Sequence, residues 1–510
     1  MVHNRSLTIS FTSDIHGYFS NLDYASGKEH ASGLCNCAGL FARGENTLIL
    51  DGGDTLQGSP FTCYYQKSRH TEGYLPAKVM NAAGYQFITL GNHDFDFGVG
   101  QIEEYLAQLD ARCLCANIEG IRGVEKTALV TMENGLRVGL TGVTSHYIPL
   151  WEPPENLIGV TVSDAFEAAA EACDNLIAAG ADVTICIYHG GFEKDTDTGF
   201  EVFHTDENQG WRIARELGFD ILLTGHQHLE IDGKDLFGTY ICQPPDKAKG
   251  FLHLEVTVPP PESGEKTKTV SRFIPAGKER DEAVWSILAS AEDQAARWLD
   301  RAVGRLDVPL SPQDPLSMAL HGSLIANFFN QVQLEATGAD LSVTSLPNTV
   351  IGFTEDVSIR DVVSNYIFSN TLKVIEVDRH VLAAALERCA EYFELDEKGK
   401  PYISSTFLHP IPQHYNYDYF YGIHAVFDLR RPVGQRVISI LYRGQELDPS
   451  GKLKLCVNSY RTSGAGGYSL YASCPLLSDS GREIVEIIMD YVSSHQKIIV
   501  DKTKWLTVLS

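Results

Sequence analysis

Short apolar runs alternate with amphipathic stretches through the first half of the chain. Leu7–Thr12, Thr47–Leu50, Phe87–Leu90, Val138–Val143, Val183–Tyr188 and Ile221–Thr224 read as buried strands. Between them, Ile102–Leu109 and Asp164–Ala178 carry apolar residues at helical spacing. This alternation predicts an α/β fold of packed layers. Nearly every strand ends in a short polar cluster of Asp, His or Asn, the placement expected of ligand groups in an open α/β site. Val258-Pro-Pro-Pro-Glu-Ser-Gly264 predicts a hairpin tip or edge connection. From Asp281 to Leu299, residues Val284, Ile287, Leu288, Ala291 and Ala295 predict a helix that bridges two domains. The second half mixes helices (Ser323–Thr337, His380–Glu391) with strands (Leu372–Val377, Leu453–Val457). The expected division is 1–280, a bridging helix over 281–303, and 304–510.

Size agrees with two domains, since 510 residues exceed what one hydrophobic core serves. Hydrophobic residues make up 44% and charged residues 21%, an ordinary globular composition. The net charge of −25 repels polyphosphate backbones, so duplex nucleic acid is not an expected partner. A small anion then needs local positive charge, which points to metal ions or a few placed donors. Met1–Ser6 is followed by no apolar run before Asp14, and no stretch of about 18 apolar residues occurs. With eleven scattered cysteines, the expectation is reduced thiols in a cytoplasmic protein with no membrane partner. The spacings Cys35-x-Cys37 and Cys113-x-Cys115 do not fit a zinc site.

Asp14-Ile-His16 follows the first predicted strand, and residues two apart in extended chain point the same way, so both side chains can share one cation. Gly52-Gly53-Asp54, Gly91-Asn92-His93-Asp94, His189-Gly-Gly and Gly225-His226-Gln-His228 follow later strands. Two carboxylates, one amide oxygen and four imidazoles make the count for two cations bridged by one carboxylate, with one histidine to spare. Mixed N and O donors without thiolate suit Mn²⁺, Zn²⁺, Fe or Co²⁺ rather than Ca²⁺. Each dipeptide alone is a weak signal; five at strand ends in one half of the chain are not.

These motifs resemble the calcineurin-like metallophosphoesterase signature, and Gly91-Asn-His-Asp-Phe-Asp-Phe-Gly98 is similar to the 5′-nucleotidase family in particular. The resemblance implies an N-terminal four-layer α/β/β/α domain, a bridging helix and a C-terminal α+β substrate domain. It implies that Asp14, His16, Asp54 and His228 hold one metal, and Asp54, Asn92, His189 and His226 the other. His93 takes the place of the catalytic histidine, with Asp96 orienting it; the bland alternative is that Asp96 caps a turn before Gly98. Two divalent cations side by side neutralise phosphoryl oxygens and acidify water for in-line attack, and a protonated His93 assists the leaving group.

In the second half, Asn458-Ser-Tyr460-Arg461-Thr-Ser-Gly464-Ala-Gly466-Gly467-Tyr468 reads either as a ligand-approach loop or as a Gly-rich turn with a buried Tyr. Tyr415-Asn-Tyr417-Asp418-Tyr-Phe-Tyr421-Gly422-Ile423 reads as an edge strand with aromatics in contact with the core, or as a source of stacking rings. The resemblance implies a nucleobase between Tyr417 and Tyr460, with Asn458, Arg461 and Asn348 nearby. The family's Asn-Ala-Gly-Gly-Ile-Arg segment is absent. Pro347-Asn348…Gly352-Phe353, Asn370-Thr-Leu372 and Tyr415-Asn-Tyr-Asp418 are similar to the 2′,3′-cyclic-nucleotide 2′-phosphodiesterase/3′-nucleotidase branch. Arg360, Arg430, Arg431 and Arg436 are expected on solvated loops or in ion pairs, and His409 and His414 in structural roles. The expected function is a dimetal phosphohydrolase acting on a small nucleotide substrate, cyclic or 3′-phosphorylated. The alternatives are a 5′-nucleotidase or nucleotide-sugar hydrolase, a nucleotide-binding sensor with negligible turnover, and a nuclease, which the acidic charge disfavours.

Overall fold

The computed structural model describes residues 5–24, 27–68, 73–201, 206–260, 263–368, 370–409, 411–449 and 451–510. The start of the chain through Asn4, and Pro261 and Glu262 of the predicted hairpin tip, lie outside the described residues. The chain divides into two compact units, Met1–Ala296 and Arg297–Ser510, with the division inside the helix Glu282–Leu299.

The N-terminal unit is built on two sheets. In the first, the strands Arg5–Thr12, Thr47–Asp51, Phe87–Ile88, Arg112–Leu114 and Val124–Glu125 run parallel, and Gly250–Val258 and Lys268–Pro275 add an antiparallel edge. In the second, Arg137–Thr144, Val183–His189, Ile221–Thr224 and Thr239–Gln243 are parallel, flanked by antiparallel Thr127–Thr131 and Ile231–Leu236. Side-chain alternation decides the layering. On Val183–His189, residues Val183, Ile185 and Ile187 join Leu7, Ile9, Phe11, Leu48 and Leu140 in the core between the sheets. Cys186 and Tyr188, one step out of phase, pack instead with Phe166, Ala169, Cys173 and Leu176 of the helix Ala165–Ala178. Helices Pro60–Lys67, Leu75–Ala83 and Val99–Gln108 bury Phe61, Val79, Met80 and Ile102 and complete the α/β/β/α order.

Helix starts follow side-chain caps. Asp164, read from sequence as the first helical residue, is the N-cap and accepts from Glu167 N at 2.9 Å. Ser323 and Asp378 do the same for Leu324–Thr337 and Arg379–Ala390.

In the C-terminal unit a five-stranded sheet is ordered Asp418–Tyr421, Leu341–Ser345, Leu453–Asn458, Thr371–Val377, Leu476–Glu483. A four-stranded sheet contains Ile423–Asp428, so the chain leaves one sheet and enters the other at Gly422, whose φ is +93°. A side chain there is disfavoured by that φ, and its Cβ would sit 3.0 Å from the carbonyl oxygen of Asp340. Arg360 pairs with Asp300, and Arg430 and Arg431 pair with Asp428. Arg436 corrects its sequence reading: it is buried and donates to the carbonyls of Ala390 and Phe393 at the end of a helix. None of the eleven cysteines is in a disulfide, and among the described residues no helix is long and apolar enough to cross a membrane.

Candidate metal centre

Asp14, His16, Asp54, Asn92, His189, His226 and His228 all emerge at or just past the carboxyl ends of parallel strands. The backbone that carries them is bent sharply. Among the described residues ten non-glycine positions have positive φ, and five are Asp14, His16, Asp54, His226 and His228, between +51° and +68°. Asp, Asn and His tolerate this left-handed region better than most residues, but it still favours glycine. The loops hold the conformation by packing on one another: a Cβ on Gly91 would overlap the Asp54 carboxylate.

Two buried acids, neither given a role in the sequence reading, brace these loops. Asp94 accepts from the backbone N–H groups of Asp54, Thr55, Leu56 and Gly91 at 2.8–3.0 Å. Asp51 accepts from Thr12 Oγ1, Thr55 Oγ1 and Gly53 N. Burial pushes the Asp94 carboxyl up to about 6 and the Asp51 carboxyl up to about 7, against the hydrogen bonds that favour their charge.

Hydrogen bonds on the far side of each ring decide which nitrogen faces the centre. His16 Nδ1 donates to Gln57 O at 2.9 Å, and His189 Nδ1 donates to Gly52 O at 2.7 Å, so both turn Nε2 inward. Glu207 Oε1 accepts from His226 Nε2 at 2.9 Å, which turns Nδ1 inward. Asp246 lies 3.6 Å from His228 Nδ1, which leaves Nε2 of that ring inward. The inward atoms are therefore all acceptors. His16 Nε2 and His228 Nε2 are 3.1 Å apart, and His228 Nε2 is 3.3 Å from Asp14 Oδ1. Asn92 Oδ1 is 2.8 Å from His226 Nδ1 and 3.2 Å from His189 Nε2. Asp54 Oδ2 lies 3.2 Å from His189 Nε2 and 3.8 Å from His16 Nε2, between the two groups. Its other oxygen accepts from His93 N at 2.7 Å. Donor atoms of Asp14, His16 and His228, and of Asp14, Asp54 and His189, lie within 4.8 Å of one another. Convergent lone pairs without hydrogens repel unless a cation sits among them, so this donor set fits two divalent ions.

Without cations the carboxylates divide the rings: burial lowers His189, but the Asp54 charge outweighs it and pushes that ring up to about 9, so it holds a proton that a bound cation would displace. Burial pulls His16 down to about 4, so the ring is neutral at pH 7 and its lone pair is available. Burial opposes the charge of Asp54, but His189 and His93 hold the carboxyl well below its usual range. His93 stands at the rim with its ring centroid 5.5 Å from that of His16, and Nδ1 lies 3.2 Å from Asp96 Oδ2. Burial lowers its basicity, but the Asp96 and Asp54 carboxylates outweigh this and push it up to about 10.

Glu207 lies in a loop with no strand signal, and Asp246 follows the strand Thr239–Gln243, which the sequence reading did not identify. Partners of this kind orient ligating histidines, and their loss typically weakens metal affinity 10–100-fold. Glu207→Ala is expected to weaken metal binding by about that factor, read by calorimetric titration with Mn²⁺. An unchanged affinity would remove Glu207 from this role.

The substrate-side residues expected in the C-terminal unit fare differently. Tyr417 is only 4% exposed and packs among Tyr392, Phe393 and Tyr419, with its hydroxyl on Ala319 O at 3.2 Å. No face of that ring is open to a base, which corrects the sequence reading. Arg461 is also corrected: its side chain is 1% exposed and binds Asp418 at 3.0 Å, Asn416 Oδ1 at 3.3 Å and Tyr415 O at 2.7 Å. Asn458 is a buried helix cap whose Oδ1 accepts from Arg461 N at 2.8 Å. Asn348 ties down the loop that follows Pro410, donating to Pro412 O and accepting from His414 N. Tyr460 is half-buried, and the Arg461 guanidinium lies over its ring at 5.4 Å.

Residues 7–230 match the calcineurin-like phosphoesterase family, and residues 302–473 match the 5′-nucleotidase C-terminal domain. The trifunctional nucleotide phosphoesterase YfkN of Bacillus subtilis is 25% identical over 96% of this chain, which spans 38% of that longer protein. The 2′,3′-cyclic-nucleotide 2′-phosphodiesterase/3′-nucleotidase of Salmonella typhimurium is 24% identical over 90% of this chain and 81% of its own. A solved structure of 5′-nucleotidase type from Staphylococcus aureus, in complex with alpha-ketoglutarate, superposes with a TM-score of 0.89 and 29% identity. It covers 99% of this chain and 100% of its own. With the acceptor cluster at the strand ends and both family domains in order, the chain belongs to the 5′-nucleotidase family of calcineurin-like metallophosphoesterases, enzymes that hydrolyse phosphoric esters.

Proposed function

We propose that this chain is a dimetal phosphohydrolase of nucleotides, acting first on 2′,3′-cyclic and 3′-phosphorylated nucleotides. The observation that carries the reading is the set of acceptor atoms converging on both sides of Asp54 Oδ2. Asp14, His16, Asp54 and His228 would hold one divalent ion, and Asp54, Asn92, His189 and His226 the other. The ions would supply Lewis-acid charge to the phosphoryl oxygens. His93, kept protonated by Asp96, donates to the departing oxygen, and Asp96 fixes the ring so that Nε2 is the donating atom. Tyr460 offers a face to the base.

Identity to the Salmonella phosphodiesterase/3′-nucleotidase supports the cyclic and 3′ reading. The 5′-nucleotidase reading has equal support, from the fold match to the Staphylococcus aureus structure. Residues that leaned toward the cyclic branch turn out to be scaffolding. Gly352 N is held by Asn365 Oδ1, and Asn416 and Asp418 bind Arg461. A Mn²⁺-loaded preparation assayed on 2′,3′-cyclic AMP, 3′-AMP, 5′-AMP and an aryl phosphate separates these readings. The expected order is cyclic and 3′ substrates ahead of 5′-AMP. Tyr460→Ala is expected to raise KM for nucleotides about 5–150-fold, the equivalent of one lost stacking contact of about 1–3 kcal/mol, and to leave the aryl ester unchanged. Hydrolysis of the aryl ester alone would defeat the nucleotide reading. Two bound metals with no turnover would favour the sensor.

A further inference from the structure

The segment that follows the strand Arg137–Thr144 reaches both halves of the centre, and the hydrolytic reading leaves it unused. Trp151 lies flat on the metal-side ring of His226, with centroids 5.5 Å apart and planes inclined by 20°. Next to it, Glu152 lies close enough to Asp96 for each carboxyl to act on the other. Asn156 Nδ2 donates at 2.9 Å both to the backbone oxygen of Asp96 and to Glu152 Oε2. Pro153 and Pro154 stand between Glu152 and Asn156 and limit the backbone that sets their separation. Glu152 is therefore held on two sides, and Asp96, with its side chain 3% exposed, has little room to turn.

We propose that Glu152 is a positioning residue for the His93–Asp96 pair: it donates a hydrogen bond to the Asp96 carboxylate, whose oxygens lie 3.2 and 3.3 Å from His93 Nδ1, and so holds that carboxylate against the ring. Two carboxyl groups can share a hydrogen bond only through one proton, and that proton belongs on Glu152 because Asp96 is paired with the histidine. The ionisable groups that face Glu152 are Asp96 and His93. Burial first, and then the Asp96 charge, push Glu152 up to about 9, while His93 pulls the other way. Without this donor Asp96 loses its anchor, and the His93 ring is free to swing from the orientation in which it protonates a leaving oxygen.

The inference rests on the phosphoester-hydrolase reading. The full chain loaded with Mn²⁺ is assayed on glycerol 2-phosphate, whose leaving group needs a proton, and on 4-nitrophenyl phosphate, whose leaving group does not. E152A is expected to lower kcat on the alkyl ester about 10–100-fold with KM and metal content near wild type, and to change the nitrophenyl ester far less. E152Q keeps a neutral donor and is expected to restore kcat to within about threefold. The proposal is overturned if E152A turns over the alkyl ester at the wild-type rate, if E152Q is as slow as E152A, or if both esters suffer equally. Should E152A fail to fold, N156A takes its place: the same leaving-group dependence supports the proposal, and a wild-type rate overturns it. A wild-type chain inactive on both esters and on nucleotides defeats the hydrolase reading itself, whereas an active wild type with an unaffected E152A defeats only this inference.

Discussion

Asp54→Asn is expected to lower kcat by roughly 10³-fold or more and to reduce bound Mn²⁺ from two ions per chain. Asn keeps the acceptor that holds the His93 backbone, so the loop around residues 91–94 is retained and the change falls on charge alone. Asp54 Oδ2 is the atom that lies within reach of both histidine groups. A cation on either side then loses a full negative ligand from a buried position, where charge is strongly felt. Stabilisation of phosphoryl charge by such ions is worth several kcal/mol, and each 1.36 kcal/mol is about tenfold in rate. Elemental analysis together with turnover on one preparation checks this. Two ions retained and kcat within tenfold of wild type would show that the centre does not depend on the shared carboxylate.

Arg461→Met is expected to destabilise the C-terminal unit by about 3–5 kcal/mol, because it leaves Asp418 charged, buried and without its partner. The guanidinium also lies over the rings of Tyr468 at 4.6 Å and Tyr460 at 5.4 Å, so packing is lost with the charge. Pairing the change with Asp418→Leu should recover much of the loss, since an apolar pair of similar volume replaces a buried ion pair at little net cost. Urea unfolding followed by a probe in the C-terminal unit measures both variants. An unshifted midpoint in Arg461→Met would mean that Asp418 finds water or another donor.

The N-terminal half was legible because its chemistry and its periodicity coincide. A parallel strand delivers whatever follows it to one end of the sheet, so Asp14-x-His16 and His226-x-His228 could be placed together from sequence although 212 positions separate Asp14 from His226. The helix from Ala165 was legible too, and only its cap, Asp164, was misread as a helical residue. The second half was not legible to the same depth. Aromatic and arginine residues around a Gly-rich loop have the same appearance in sequence whether they meet a ligand or one another. Tyr417 and Arg461 meet Tyr392 and Asp418. Glu207, Asp246 and Glu152 were missed for another reason. Each acts on a residue that arrives from elsewhere in the chain, so no local pattern marks it.

The left-handed backbone at Asp14, His16, Asp54, His226 and His228 bears on any attempt to move this centre into another scaffold. Copying the seven side chains onto regular strands or helices would reproduce the donor list but not the directions in which the donors point. Exchanging a ligand for Glu or Cys to change metal preference would ask a residue less tolerant of positive φ to occupy the same bend. A successful graft would have to carry the loops whole, with Asp94 and Asp51 bracing them and glycines at 53 and 91. The unit of inheritance here is a set of turns, and the ligands are its passengers.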